Sequence, residues 1–207
     1  MSGPRRSSGT WRDRQERDPY VRRARQEGWR SRAVYKLEQI VEKEPILFAG
    51  MTCVDLGAAP GGWSQYVARR LKQQVRIVAV DILPMDSLPC VEFMQADFTQ
   101  EEGLELLISQ LGGAPVDLVM SDLAPNITGT KAIDQPRSMH LAELAMDTAR
   151  KVLRHHGNFV CKLFQGEGSE AFVAGARANF DKVRLMKPKA SRSGSSEMYL
   201  VARNYRL

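Results

Sequence analysis

The sequence predicts an α/β fold built on one doubly wound, mostly parallel sheet. Three observations carry the prediction. Five apolar runs, Met51–Leu56, Arg76–Ile82, Val91–Phe98, Val116–Leu123 and Asn158–Phe164, are nearly continuous in hydrophobicity, the pattern of strands covered on both faces. Helical patterns lie between or after them, and that alternation builds parallel sheets. A glycine-rich turn leaves the first run directly, as at the ligand-binding edge of open α/β sheets.

In chain order, residues 1–17 read as a flexible basic arm and residues 18–207 as a single domain. A chain of 207 residues buries one good core and is too short for two large domains. Asp18-Pro19 opens a helix that runs to about Gly28, with Asp as N-cap and Pro at the first helical position. Ser31 caps a second helix, whose apolar positions Ala33, Val34, Leu37, Ile40 and Val41 form one stripe. Glu44-Pro45 ends it. Further helices are expected at Gly62–Lys72, Glu101–Leu111, Arg137–Arg154 and Ser169–Asn179. The last two strands, Lys182–Met186 and Glu197–Ala202, have a Ser/Gly/Arg-rich loop and no helix between them. They therefore pair as an antiparallel hairpin at the sheet edge. The sum is a seven-stranded, Rossmann-like sheet.

Charge is distributed unevenly. Lys and Arg number 30 against 24 acids, a net +6. Residues 1–32 hold ten arginines and four acids, which accounts for the whole excess, and residues 33–207 carry 20 of each sign. A neutral body with an arginine-only arm is the footprint of a polyanion partner, most often nucleic acid. No run of about 18 apolar residues predicts a membrane span. The N-terminus lacks the apolar segment of a secretory signal, and Asp13, Glu16 and Asp18 count against a transit peptide. Cys53, Cys90 and Cys161 are odd in number, far apart and without paired metal-ligand spacing. They read as free thiols in a reducing cytoplasm, with no metal expected.

The glycine turn is VDLGAAPGGWSQYV, with Gly57, Gly61 and Gly62 letting the backbone come close to a ligand. It is not the G-x-G-x-x-G of dinucleotide sites. Asp55 just before the turn suits a cationic ligand better than a pyrophosphate, so S-adenosylmethionine is favoured over a dinucleotide. Asp81, at the end of IVAVDI, suits the ribose hydroxyls of a nucleoside ligand. Asp97, at the end of FMQADF, either binds an exocyclic adenine amine or caps the following helix. Trp63 lies over the same site or is simply buried.

Asp122, in VMSDLAPN, sets a carboxylate at the same edge. Lys162 sits inside the apolar FVCKLF, as a snorkelling side chain, an ion pair or a catalytic amine. Lys36 flanks the stripe of the second helix, where a surface position is the ordinary outcome. Glu197 on its own is an unremarkable edge-strand charge.

Together RSRAVYKL, VDLGAAPGGWSQYV, DILPMD, SDLAPNITGT, FVCKLFQGEG and SSEMYLVA resemble the FtsJ/RrmJ family of ribose 2′-O-methyltransferases. The resemblance runs in register over nearly the whole chain from about residue 18. It implies the Rossmann-like S-adenosylmethionine-dependent methyltransferase fold. It maps the family's Lys-Asp-Lys-Glu tetrad onto Lys36, Asp122, Lys162 and Glu197, and its cofactor contacts onto Gly61, Trp63, Asp81, Asp97 and Asp122. Asp55 and Gly57 join the cofactor set from the reading of the turn. The implied reaction is methyl transfer to a ribose 2′-hydroxyl of a uridine in 23S ribosomal RNA, on the assembled large subunit, in the cytoplasm and without an obligate protein partner. A transfer RNA ribose methyltransferase of the same family is the alternative. An alcohol needs a base within reach, and Lys162 is the candidate, with Asp122 beside the sulfonium and Lys36 and Glu197 orienting the ribose. A free lysine titrates at about 10.4, so that role needs desolvation or a cationic neighbour. Lys36 provides one, while Asp122 and Glu197 oppose it.

Overall fold

The computed structural model describes residues 18–126, 128–192 and 194–207, and the expected arm at 1–17 lies outside them. The elements run α1 (Pro19–Gln26), α2 (Val34–Lys43), β1 (Met51–Leu56), α3 (Gly62–Arg70), β2 (Val75–Asp81), β3 (Val91–Gln95), α4 (Glu101–Leu111), β4 (Val116–Ser121), α5 (Lys131–Val152), β5 (Leu153–Phe164), α6 (Ser169–Asn179), β6 (Phe180–Met186) and β7 (Glu197–Tyr205). All seven strands lie in one sheet, ordered β3-β2-β1-β4-β5-β7-β6. The pairs from β3 to β5 are parallel, as helical crossovers require. β7 runs antiparallel to both of its neighbours.

Strand alternation splits the core into two layers. Val54, Leu56, Val119, Phe159 and Leu163 pack against Leu107 of α4, Met139 and Met146 of α5 and Phe172 of α6. Cys53, Ile77, Leu118, Val160 and Tyr199 face Ala24 of α1, Leu37 and Ile40 of α2 and Val67 of α3. Asp18 caps α1 through a 3.0 Å bond from the Tyr20 amide, as expected. Ser31 does not cap α2, whose N-cap is Ala33 without a side-chain bond; its hydroxyl instead accepts from the Ala33 amide at 3.0 Å in the turn before the helix. Among the described residues no helix is long and apolar enough to cross a membrane.

Several strand and helix ends depart from expectation by one to three residues, and four further differences bear on the site. β3 stops at Gln95, so Asp97 is not at a strand end. Its carboxylate instead accepts from the Thr99 amide (3.0 Å) and hydroxyl (2.6 Å), an Asx turn ahead of α4, whose N-cap is Gln100. α5 begins at Lys131 and carries Pro136 inside it. Asp134 in its first turn accepts from the amides of Thr128 (2.9 Å) and Gly129 (3.0 Å), which fixes this earlier start. Arg154 belongs to β5, whose first residues pair with β4 across a register shift at Val116/Leu118. Finally, β7 is not at the edge. It inserts between β5 and β6 because it is apolar on both faces, whereas β6 exposes Asp181, Lys182 and Arg184. Glu197 is consequently buried and not an edge-strand charge.

Candidate functional site

At the carboxyl edge of the sheet, Gly57 turns the chain with φ +74°, where a Cβ would come within 2.1 Å of Leu123 Cδ2. Gly61, with φ +99°, ends the turn and precedes α3. The Arg30 guanidinium donates to the carbonyls of Pro60 (3.2 Å), Asp86 (2.7 Å) and Ser87 (2.8 Å), and so ties the glycine turn to the segment after β2. Asp81 braces the same two segments. It accepts from the Ala59 amide at 2.9 Å and the Leu83 amide at 2.8 Å.

Asp55 is buried and takes a 2.6 Å bond from the Ser64 hydroxyl. Burial pushes its carboxyl up to about 7, opposed by the Ser64 bond and reinforced by the charges of Asp122 and Asp81. A cavity of about 70 Å3 gathers Asp55, Gly57, Trp63 and Asp122, but not Gly61, Asp81 or Asp97. Trp63 donates from Nε1 to the Ala33 carbonyl at 2.9 Å and leans on Tyr199, with ring centroids 5.8 Å apart.

Next to this cavity the four polar residues of the resemblance meet. Lys36 Nζ lies 2.8 and 2.9 Å from the two carboxylate oxygens of Glu197, and 5.6 Å from the centroid of the Tyr199 ring. Lys36 is therefore buried against the last strand, and the surface position expected of a stripe-flanking lysine is not observed. Lys162 Nζ lies 2.8 Å from Asp122 Oδ1, 2.8 Å from the Asp122 carbonyl oxygen and 3.8 Å from Glu197 Oε2. The side-chain nitrogens of two lysines and two carboxylates thus form one continuous chain of contacts. Strand register brings Lys162 and Glu197 together, because Lys162 pairs with Tyr199 and Phe164 with Glu197, which puts these residues on one face of the sheet. Lys36 joins them from α2 and Asp122 from just past β4.

Two members were missed from sequence. The Tyr199 hydroxyl donates to Asp122 Oδ1, and the Ser191 hydroxyl donates to Glu197 Oε1 at 2.7 Å. The signal for Tyr199 was its spacing, two residues after Glu197 on a strand. Ser191 carried no signal. Burial pushes the Asp122 carboxyl up, and the Lys162 and Lys36 charges, with the bonds from Lys162 and Tyr199, outweigh it and hold it below the usual carboxylate range. Tyr199, buried beside Asp122 and Glu197, is held well above the ordinary phenol range.

This arrangement can hold a cation among carboxylates and present an amine to a hydroxyl a few ångströms away. Known proteins similar to the chain over most of its length are methyltransferases. The chain is 51% identical over 201 residues to a Legionella pneumophila protein named ribosomal RNA large subunit methyltransferase E, covering 97% of this chain and 98% of the relative. A Pseudomonas aeruginosa protein of the same name is 53% identical over 189 residues, 91% of each chain. A crystal structure described as that of a ribosomal RNA methyltransferase from Plasmodium falciparum superposes with a TM-score of 0.77 at 27% identity, over 86% of this chain and 98% of that one. Residues 29–205 match the FtsJ-like methyltransferase family, to which this chain belongs as an enzyme.

Proposed function

We propose that the chain transfers the methyl group of S-adenosylmethionine to a ribose 2′-hydroxyl of a uridine in 23S ribosomal RNA, in the cytoplasm and on the assembled large subunit. The observation that carries this reading is the unbroken Lys36–Glu197–Lys162–Asp122 network beside the glycine turn. The names of the relatives, which specify ribosomal RNA and the large subunit, support the substrate.

The residues around the turn suit this cofactor, since Asp55 and Asp122 line the cavity with Trp63 and leave it acidic and partly aromatic. Gly57, Gly61, Trp63, Asp81, Asp97 and Asp122 would hold it, with Asp55 beneath. When bound, it supplies a methyl group on a sulfonium, whose carbon–sulfur bond breaks with the electron pair kept by sulfur.

Lys162 is the base of this reading. As a neutral amine it keeps two N–H donors, which Asp122 Oδ1 and the Asp122 carbonyl accept at 2.8 Å each. Its lone pair is then free to take the 2′-hydroxyl proton as the new carbon–oxygen bond forms. Lys36, held by both Glu197 oxygens, orients the ribose oxygens. Asp122 steadies positive charge beside the reacting oxygen. Because Lys36, Lys162 and Glu197 are buried, little water reaches them and the geometry is set in advance, which is where most of the rate arises.

The test is direct. Labelled cofactor is incubated with free ribosomal RNA, large subunits and transfer RNA, and the labelled nucleotide is mapped. The reading expects label on a uridine ribose of large-subunit RNA, strongest with assembled subunits. Label on transfer RNA or on a base would overturn it.

A further inference from the structure

The reacting groups stand between two hollows. One is the acidic cavity by Asp55, Gly57 and Trp63. The other begins two residues beyond Lys162 along β5. It is a groove of about 640 Å3, bordered by Phe164, by Gln135 and Ser138 of α5, and by Ser195 and Ser196 ahead of β7. Phe159 to Leu163 are all buried, and Phe164 alone at this end of the strand is partly exposed. By alternation its ring is on the Lys162 face, and by register it is opposite Glu197. Gln135 is fixed by donating from Nε2 to the carbonyls of Phe164 (3.1 Å) and Glu167 (3.0 Å). Its Oε1 has no donor among the described residues.

Ribose geometry limits where a base can go. The base is attached to C1′, next to the C2′ that bears the reacting hydroxyl, so it lies within a sugar's width of Lys162. The Lys162 side chain is only 7% exposed, so the ribose has to enter the site and its base has to leave the stack of its neighbours. Single-stranded bases released this way are held by aromatic faces and by hydrogen bonds to their edges.

We propose that this groove is the subsite for the base of the nucleotide being methylated, with Phe164 as its stacking platform and Gln135 Oε1 as acceptor for a base N–H. The proposal rests on the reading of the chain as an RNA ribose methyltransferase. An aromatic side chain and a fixed amide acceptor along one groove favour a flat heterocycle over an acyl chain.

The experiment compares wild type with Phe164→Ala, Phe164→Leu and Phe164→Trp in steady-state methylation of the RNA identified by the mapping assay. Cofactor affinity is measured separately by equilibrium binding. The Ala and Leu variants should raise KM for RNA about tenfold or more, as expected for loss of one base–aromatic stack. Their kcat and cofactor Kd should stay near wild type, and Phe164→Trp should restore the wild-type KM. Leu retains the apolar bulk and guards against a simple folding defect. A Leu variant with wild-type KM, or a loss confined to kcat or to cofactor binding, would overturn the subsite. If wild type methylates no RNA at all, it is the functional reading that fails.

Discussion

Lys162 separates two roles that a buried cation can play. If its lone pair accepts the hydroxyl proton, both Lys162→Met and Lys162→Arg should cut methyl transfer by about 10²–10⁴-fold. Arg retains the charge beside Asp122 but has no accessible neutral form. Cofactor Kd should change little in either, and a Lys162→Arg enzyme with near-normal turnover would show that charge alone suffices. Asp55 makes a different prediction, about stability. Its carboxyl is raised to about 7 by burial, so between about pH 4 and pH 7 the native protein binds more protons than the unfolded chain. Stability attributable to Asp55 therefore falls as pH rises through that window and levels off above it. Asp55→Asn should be more stable than wild type at pH 8 and show no gain at pH 4, as read from denaturant melts at each pH.

Elements are joined to one another by a few buried charges. Glu44, just past α2 and 1% exposed, accepts from Arg203 at 3.0 Å and lies 2.7 Å from Arg184 and 3.6 Å from Lys182. It thereby pins the β6–β7 pair to the helix that carries Lys36. Burial pushes the Glu44 carboxyl up, and the Arg203 bond with the Arg184 and Lys182 charges more than reverses this. Its contribution is present at neutral pH and lost as pH falls below the usual carboxylate range. Glu44→Gln should lower Tm by about 5 °C at pH 7, with the deficit shrinking under acid conditions. This joint also shows where sequence reading stops. β1, α4 and α6 were legible to the residue because apolar runs and helical periods are local properties. The start of β5 was not, since Arg154, His155 and His156 are exposed and break the apolar run. The helix expected from Arg137 begins at Lys131 and runs through Pro136. The insertion of β7 depends on pairing with strands distant in sequence, and the burial of Lys36 follows from it. The resemblance named the four network residues, but their contacts, and the part played by Tyr199 and Ser191, became visible only once the strands were paired.

Across the whole molecule, the charge asymmetry predicts how RNA is gripped. Residues 1–17 contain five arginines and two acids. Deleting them should flatten the slope of log affinity against log salt by up to about 3, because phosphate contacts release counterions, and leave cofactor affinity alone. Some slope should survive, since Lys43, Arg184, Lys187 and Lys189 line one groove of the folded body. An unchanged slope would remove the arm from the RNA-binding surface. The Lys36–Glu197 pair has a consequence of another kind. It joins residues 161 positions apart, whereas the glycine turn, Asp81 and Asp97 belong to one contiguous stretch of chain. The pair therefore acts as a clasp between distant segments, and local opening can undo it while the nucleoside-binding stretch stays folded. Under mild denaturation the enzyme would fall silent while still holding its methyl donor, so turnover registers the fastening of the clasp and bound cofactor does not.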